Sequence, residues 1–221
     1  MEKDAKIELE SLRDLENIIE EAKNKGIDII VIGGYAVRAY TPKTIRYSKD
    51  IDLVVKNTDD MQKLKYVLGK LKYEFRAAKH GLSGFKRIEG VPIVLNISVN
   101  DVNFGKRSIK ALYSDKRVKA DVIDIEELVP NKLILGRDKD IIDVCIVLLD
   151  SHNIINIKKL SGYLLRINKK EDFLTKIKHL SNLTNTKNFR DIWKGFMGRD
   201  FKKDEKLELN SIITKLTKFI T

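Results

Sequence analysis

Two aspartates one residue apart, inside an otherwise apolar stretch, constrain this chain more than any other feature. The stretch is KDIDLVVK, residues 49–56, and the pair is Asp50 and Asp52. Ile51, Leu53, Val54 and Val55 predict a core strand. Residues i and i+2 of a strand share a face, so both carboxylates project together. Carboxylates that close repel each other unless something positive lies between them. A magnesium ion meets that need, since it takes one or two carboxylates together with phosphate oxygens and water. Upstream, IDIIVIGG reads as a short strand ending at Gly33 and Gly34, and YAVRAY as a short helix. A Gly-Gly turn into a helix lets backbone N–H groups approach a phosphate. The plain alternative is a solvated edge strand with a tight turn. A lone D-x-D arises often by chance; the order strand, GG, helix, strand, D-x-D is far more specific.

The rest of the chain gives a coarse map. Residues 3–25 predict a helix, with Ile7, Leu12, Leu15, Ile18, Ile19 and Ala22 near helical spacing and Gly26 as its stop. DDMQKLKYVLGKLKY predicts an amphipathic helix that starts near Asp59 or Asp60. Residues 74–102 turn to a β pattern, with a turn at EGVP. VIDIEELVPNKLILGRDKDIIDVCIVLLD predicts mostly helix, with Asp124 as N-cap. On one continuous helix Lys132, Gly136, Asp140 and Asp143 fall within about 80° of one face. The plain alternative there is an exposed face with ion pairs among Arg137, Asp138, Lys139 and Asp140. From His152 onward only helices are expected.

With those residues in view, VIGGYAV and the string R-Y-S-K-D-I-D-L-V-V resemble the signature of minimal nucleotidyltransferases of the polymerase-beta-like superfamily. The likeness is greatest to the AbiEii/AbiGii toxin-like branch, where a GG or GS turn precedes an R-x-T/S-x-D-h-D strand. Arg46, Ser48, Asp50 and Asp52 fill that string. The 15 residues between Gly34 and Asp50 make a slightly longer spacer than usual, and Gly34 stands where the branch often has Ser. The run from Asp124 to Val144 is similar to the branch's later motif of a Lys, an Arg and paired Asp residues on a helix. The resemblance covers about residues 28–150.

It implies an α/β (α+β) nucleotidyltransferase fold: a small mixed sheet flanked by helices, with a C-terminal helical segment after it. Residues 1–150 would form the nucleotidyltransferase-like domain and 151–221 a basic helical region. The implied activity moves a nucleoside monophosphate from an NTP to an acceptor hydroxyl. Asp50 and Asp52 would hold Mg²⁺ or Mn²⁺, and Gly33, Gly34, Arg46 and Ser48 would bind the nucleotide. Lys132 would contact the triphosphate, and Asp140 or Asp143 would complete the site. The acceptor would be RNA, such as a tRNA end, or a protein. The branch works in toxin–antitoxin or phage-defence pairs, so an antitoxin partner is implied. Many enzymes of the fold carry a third carboxylate on a later strand. In VPIVLNISVN the polar face holds Asn96 and Ser98 instead, and Asp101 has the wrong parity. A catalytically impaired nucleotide- or RNA-binding module of the same fold is therefore the second reading.

Charge and composition narrow the rest. The net charge is +11, and residues 151–221 carry +9 of it. That favours an anionic partner, nucleic acid first. In NFRDIWKGFMGRDFKK, the residues Phe189, Ile192, Trp193, Phe196 and Met197 predict a helix core stripe. Lys194, Arg199, Lys202 and Lys203 are candidates for a phosphate-facing surface. The single cysteine, Cys145, excludes an internal disulfide and reads as a buried thiol. His80, His152 and His179 have no metal-ligand spacing. Without a signal-peptide pattern in MEKDAKIELE or a membrane-length apolar run, the expected location is the cytoplasm, with no membrane partner.

Overall fold

The computed structural model describes residues 2–44, 47–78, 81–99, 105–112 and 117–220. The chain divides into two compact units, Met1–Asp124 and Ile125–Thr221.

The first unit is built on a mixed sheet. In chain order its elements are α1 (Glu2–Asn24), β1 (Ile29–Ile32), α2 (Gly33–Tyr40), β2 (Ile51–Val55), α3 (Thr58–Lys70), β3 (Glu74–Ala78), β4 (Gly81–Ile88), β5 (Val91–Val99), β6 (Lys106–Leu112) and β7 (Arg117–Ile123). Seven strands align in the order β3-β4-β5-β2-β1-β7-β6. β2 runs antiparallel to β1 and parallel to β5, while β7 runs parallel to β1. The short apolar strands β1 and β2 thus hold the centre, as their near-continuous hydrophobic sequences require.

α1 buries Ile7, Leu12, Leu15, Ile18 and Ala22 and ends before Gly26, whose φ is +65°. α3 begins one residue before the expected Asp59. Its cap is Asn57, whose side chain accepts from the Asp60 N–H at 2.8 Å. Along β5, Ile93, Leu95 and Ile97 are buried and the intervening residues are half-exposed, the alternation expected of a strand with one apolar face. The β6–β7 hairpin was not anticipated, and its β7 takes Val122 and Ile123 out of the stretch expected to be helical. A period-two signal was present in Val118, Ala120 and Val122, but the lysines and aspartate between them obscured it.

The second unit is helical: α4 (Ile125–Leu135), α5 (Asp138–Ser151), a short 3₁₀ turn (His152–Ile154), α6 (Ile157–Arg166), α7 (Lys170–Leu183), α8 (Lys187–Met197) and α9 (Lys203–Ile220). α4 packs on α5, α6 and α7, and α9 packs on α5, α6 and α7. The core includes Val147, Leu164, Phe173, Ile177, Leu209 and a fully buried Trp193. Cys145 is buried as expected, and desolvation pushes its thiol far above the usual range.

Two expectations fail here. The run across residues 125–151 is two helices rather than one. Gly136 takes φ +66° and Arg137 is extended, so the chain breaks between α4 and α5. The aromatic stripe is also incomplete. Phe189 and Trp193 are buried, but Phe196 is 53 % exposed. After the left-handed Gly198 cap the chain turns back and supplies Phe201 instead, with ring centroids 4.5 Å from Trp193 and 5.2 Å from Phe189. Among the described residues, no helix is long and apolar enough to cross a membrane.

Candidate active site

The centre of the sheet brings Gly33, Asp52 and Asn96 side by side. Ile32, the residue before Gly33, lies opposite Asp52 in the antiparallel β1–β2 register. Asp52 lies opposite Asn96 in the parallel β2–β5 register, and Asn96 opposite Ser83 on β4. Gly33 has φ +66°, and a Cβ placed there would sit 2.1 Å from Asp52 Oδ2. Only glycine fits at that turn, both for its backbone and for the carboxylate that leans against it.

α2 starts at Gly33 itself. Its N-cap Ile32 offers no side-chain cap, and its first turn holds no acid. The first N–H groups of a helix lack intrahelical partners and carry the positive end of its dipole. Gly34 lies in that first turn. Uncapped N–H groups at such a start can donate to a phosphate oxygen.

The carboxylates differ in their surroundings. Asp52 Oδ1 accepts from Asn96 Nδ2 at 2.9 Å, and Asn96 Oδ1 accepts from Ser83 Oγ at 3.0 Å. An ionised carboxylate can only accept, so the Asn96 amide must turn its NH₂ toward Asp52. Asn96 therefore acts as a donor to Asp52 and takes the place, in register, where a third acid was expected. Asp50 lies just ahead of β2, and its Oδ1 is buried with no hydrogen-bond partner among the described residues. Buried polar atoms rarely stay unpaired. An orphaned carboxylate oxygen, with a second carboxylate two residues on, fits a hard divalent cation. Among the described residues no group of three or more His, Cys, Asp or Glu side chains forms a larger metal cluster.

Sequence reasoning missed the clamp that delivers Asp50 to this place. Tyr35 Oη lies 2.7 Å from the Ser48 carbonyl oxygen and 2.8 Å from Ser11 Oγ, and Ser11 Oγ donates to the Lys49 carbonyl at 2.7 Å. The Ser48 N–H donates to Glu8 Oε1 at 3.0 Å, and Arg38 pairs with the same oxygen at 2.6 Å. Side chains of α1 and α2 thus hold residues 48 and 49 immediately before Asp50. Ser48 enters this clamp through its backbone. Tyr35 and Ser11 are fully buried, yet nothing in their spacing marked them. Arg46, His80 and Asp101 lie outside the described residues.

The helical unit carries the other expected site residues. Lys132 Nζ donates to Asp140 Oδ1 at 3.2 Å and to Asp143 Oδ2 at 2.8 Å. Arg137 Nε reaches Asp140 Oδ2 at 2.5 Å. These residues meet across the α4–α5 break, not along one helix face. The ion pair between Arg137 and Asp140, the plain alternative for this stretch, is formed. Lys132, Asp140 and Asp143 are all buried. Burial works to raise the Asp140 pKa, but Arg137 and Lys132 outweigh it and hold the carboxyl below its ordinary value. In the tail, Lys194 pairs with Asp200 at 3.1 Å and Arg199 with Glu205 at 2.6 Å, so two of the four expected phosphate-facing cations are already matched.

Solved structures share this architecture. JHP933 from Helicobacter pylori matches with a TM-score of 0.60 and 14% identity, over 96% of this chain and 93% of that one. MenT4, a nucleotidyltransferase toxin from Mycobacterium tuberculosis, matches with a TM-score of 0.53 and 12% identity, over 98% and 94%. ANT(2″)-Ia, solved with adenylyl-2″-tobramycin, matches with a TM-score of 0.54 and 12% identity, over 72% and 98%. No protein-family model and no curated protein matches the sequence. At these identities the likeness establishes architecture, and the chain has the nucleotidyltransferase fold.

Proposed function

We propose that this chain transfers a nucleoside monophosphate from an NTP to an acceptor hydroxyl. The observation that carries the reading is the contact between Gly33 and Asp52. A left-handed glycine opens an uncapped helix N-terminus directly beside a carboxylate, and a second, orphaned carboxylate stands two residues away. In this reading the start of α2 at Gly33 and Gly34 takes phosphate oxygens. Asp50 and Asp52 hold Mg²⁺ or Mn²⁺, which supplies charge neutralisation on the triphosphate when bound. Asn96 and Ser83 keep the Asp52 carboxylate in one orientation. The acceptor oxygen forms a bond to the α-phosphorus, the bond to the bridging oxygen breaks, pyrophosphate leaves, and the hydroxyl proton passes to solvent. Lys132 and Asp143, which the resemblance also implies, are buried and paired with each other in the helical unit, so this reading rests on residues of the first unit.

RNA, such as a tRNA end, is the favoured acceptor class, and a protein hydroxyl is the next. The names of the structural neighbours support both the chemistry and the context: one is a nucleotidyltransferase toxin, another was solved with adenylyl-2″-tobramycin. An antitoxin partner follows if this chain acts as a toxin. A second reading, a binding module without catalysis, is favoured by Asn96 standing beside Asp52 where an acid would add charge.

The test is label transfer. The protein is incubated with each α-labelled NTP, Mg²⁺ or Mn²⁺, total RNA and protein extract, next to an Asp50→Asn/Asp52→Asn double variant. Label moved by the wild type and lost in the variant supports transfer and identifies donor and acceptor. NTP binding without transfer by a folded wild type favours the binding module.

A further inference from the structure

α3 turns one side to the core and another to solvent. Leu64, Val67 and Leu68 are buried, while Gln62, Lys65, Tyr66, Gly69 and Lys70 are exposed at i, i+3, i+4, i+7 and i+8. With Tyr73 and Phe75 they line an open groove of about 560 Å³. Tyr66 is unusual there, an aromatic side chain left 65 % exposed. Lys70 Nζ lies 5.1 Å from its ring centroid, and Lys25 Nζ 5.6 Å. Among the described residues, Lys25, Lys65 and Lys70 have no carboxylate partner. Lys63 on the same helix, by contrast, is within 3.5 Å of Asp60. The tail had the larger net charge, but Lys194 and Arg199 spend theirs on Asp200 and Glu205. On α3, unmatched charge lies beside an exposed ring.

We propose that this face of α3 is a docking surface for single-stranded RNA. A base stacks on the Tyr66 ring, and Lys25, Lys65 and Lys70 take the flanking phosphates. Lys25 and Lys70, with no carboxylate among the described residues to hold them over the ring, can swing from the ring face to flanking phosphates as a base stacks in their place. Gly69 lines the groove between Lys65 and Lys70 on α3, and an added Cβ there would meet nothing within 4 Å. A duplex keeps its bases stacked inside and offers this surface phosphates alone, so the ring selects the unpaired strand. The proposal deepens the RNA-acceptor reading above and rests on it for the purpose of the bound strand.

The experiment is fluorescence anisotropy of the full chain with a short fluorescein-labelled oligouridylate, and with a labelled RNA duplex of equal length. The single strand is expected to bind more tightly. Tyr66→Ala weakens it about tenfold, while Tyr66→Phe, which keeps the ring, leaves it unchanged. Lys25→Glu/Lys70→Glu weakens it further and flattens the salt dependence, the slope of log K against log salt falling by about 0.7 per lost phosphate contact. All these residues are exposed, so the variants fold. Asp50→Asn/Asp52→Asn binds the oligouridylate as the wild type does. If that variant loses label transfer and keeps strand binding, both readings stand. If the wild type shows no transfer but Tyr66-dependent binding persists, the catalytic reading alone fails. Equal affinity for duplex and single strand with no effect of Tyr66→Ala overturns the docking proposal. So does displacement by polyglutamate as readily as by unlabelled RNA, which would mark the face as a site for an acidic protein.

Discussion

At the scale of single residues, Gly33 is the tight constraint beside the candidate site. Its φ of +66° costs any L side chain, and a Cβ there would lie 2.1 Å from Asp52 Oδ2. Gly33→Ala should therefore destabilise the chain by about 1–3 kcal/mol in chemical denaturation. It should also abolish label transfer and the rise in melting temperature expected from added Mn²⁺, because Asp52 must leave its position. An alanine variant that transfers label at the wild-type rate would separate the glycine turn from the site. This site was legible in outline because its parts are local: two glycines end a strand, and two aspartates share the period of another. Asn96 was legible too, since strand parity alone placed it on the polar face. What it does there was not, because the hydrogen bonds to Asp52 and Ser83 depend on lateral register between β2, β4 and β5. The Tyr35–Ser11–Ser48 clamp was hidden for the same reason. Its members come from α1, α2 and the segment before β2, and each alone is an ordinary polar residue in or near an apolar stretch.

At the scale of elements, the α4–α5 break is the instructive case. A helical wheel drawn through residues 132–143 put Lys132 near Asp140 and Asp143, and they do meet. They meet because Gly136 and Arg137 fold one helix back onto the next, a geometry the wheel does not contain. The result is a buried ammonium between two buried carboxylates. Removing one partner from such a cluster leaves uncompensated charge. Lys132→Met should cost about 3–5 kcal/mol by denaturant unfolding at pH 7. The pH dependence has a definite sign. Asp140 is held below its ordinary value of 3.8 in the folded chain. Its contribution is present above that unfolded value and is lost as pH falls through the lower folded one. Glu205 behaves alike: burial works to raise its pKa, and Arg199 with the Lys202 N–H overrides that and lowers it below 4.5. Wild-type melting temperature should thus hold down to about pH 4.5 and fall below it, first through Glu205 and then through Asp140. In Lys132→Met the acid-linked loss from Asp140 should shrink, since the folded carboxyl moves up toward its unfolded value once this buried cation is gone, and the variant's deficit at pH 7 should narrow as pH falls. A variant with an unshifted acid limb would show that Arg137 alone sets the Asp140 carboxyl.

At the scale of the whole molecule, charge says more than fold. The β6–β7 hairpin escaped the sequence pattern because lysines alternate with its apolar residues, and the same lysines help to give the chain its net +11. So large an excess destabilises a compact state by self-repulsion. Some of it is neutralised locally, in the Lys132 cluster, at Lys106 between Asp28 and Asp121, and at Arg199 beside Glu205. Buried pairs of the Lys132 kind are screened little by salt, whereas unmatched surface lysines repel over distances that salt shortens to about 10 Å at 0.1 M. The two effects have opposite signs, and their sum is measurable. If repulsion dominates, raising salt from low to physiological strength at pH 7 should stabilise the chain. A gain of about 1 kcal/mol corresponds to a rise of about 2–4 °C in melting temperature for a chain of this size. Reversing two exposed tail charges in Lys202→Glu/Lys203→Glu lowers the net charge from +11 to about +7, so it should raise the low-salt melting temperature and shrink the salt effect. A melting temperature that falls with salt in the wild type would instead mean that ion pairs outweigh repulsion. Stability would then rest on the matched charges, and the unmatched lysines of α3 would impose no measurable strain on the fold.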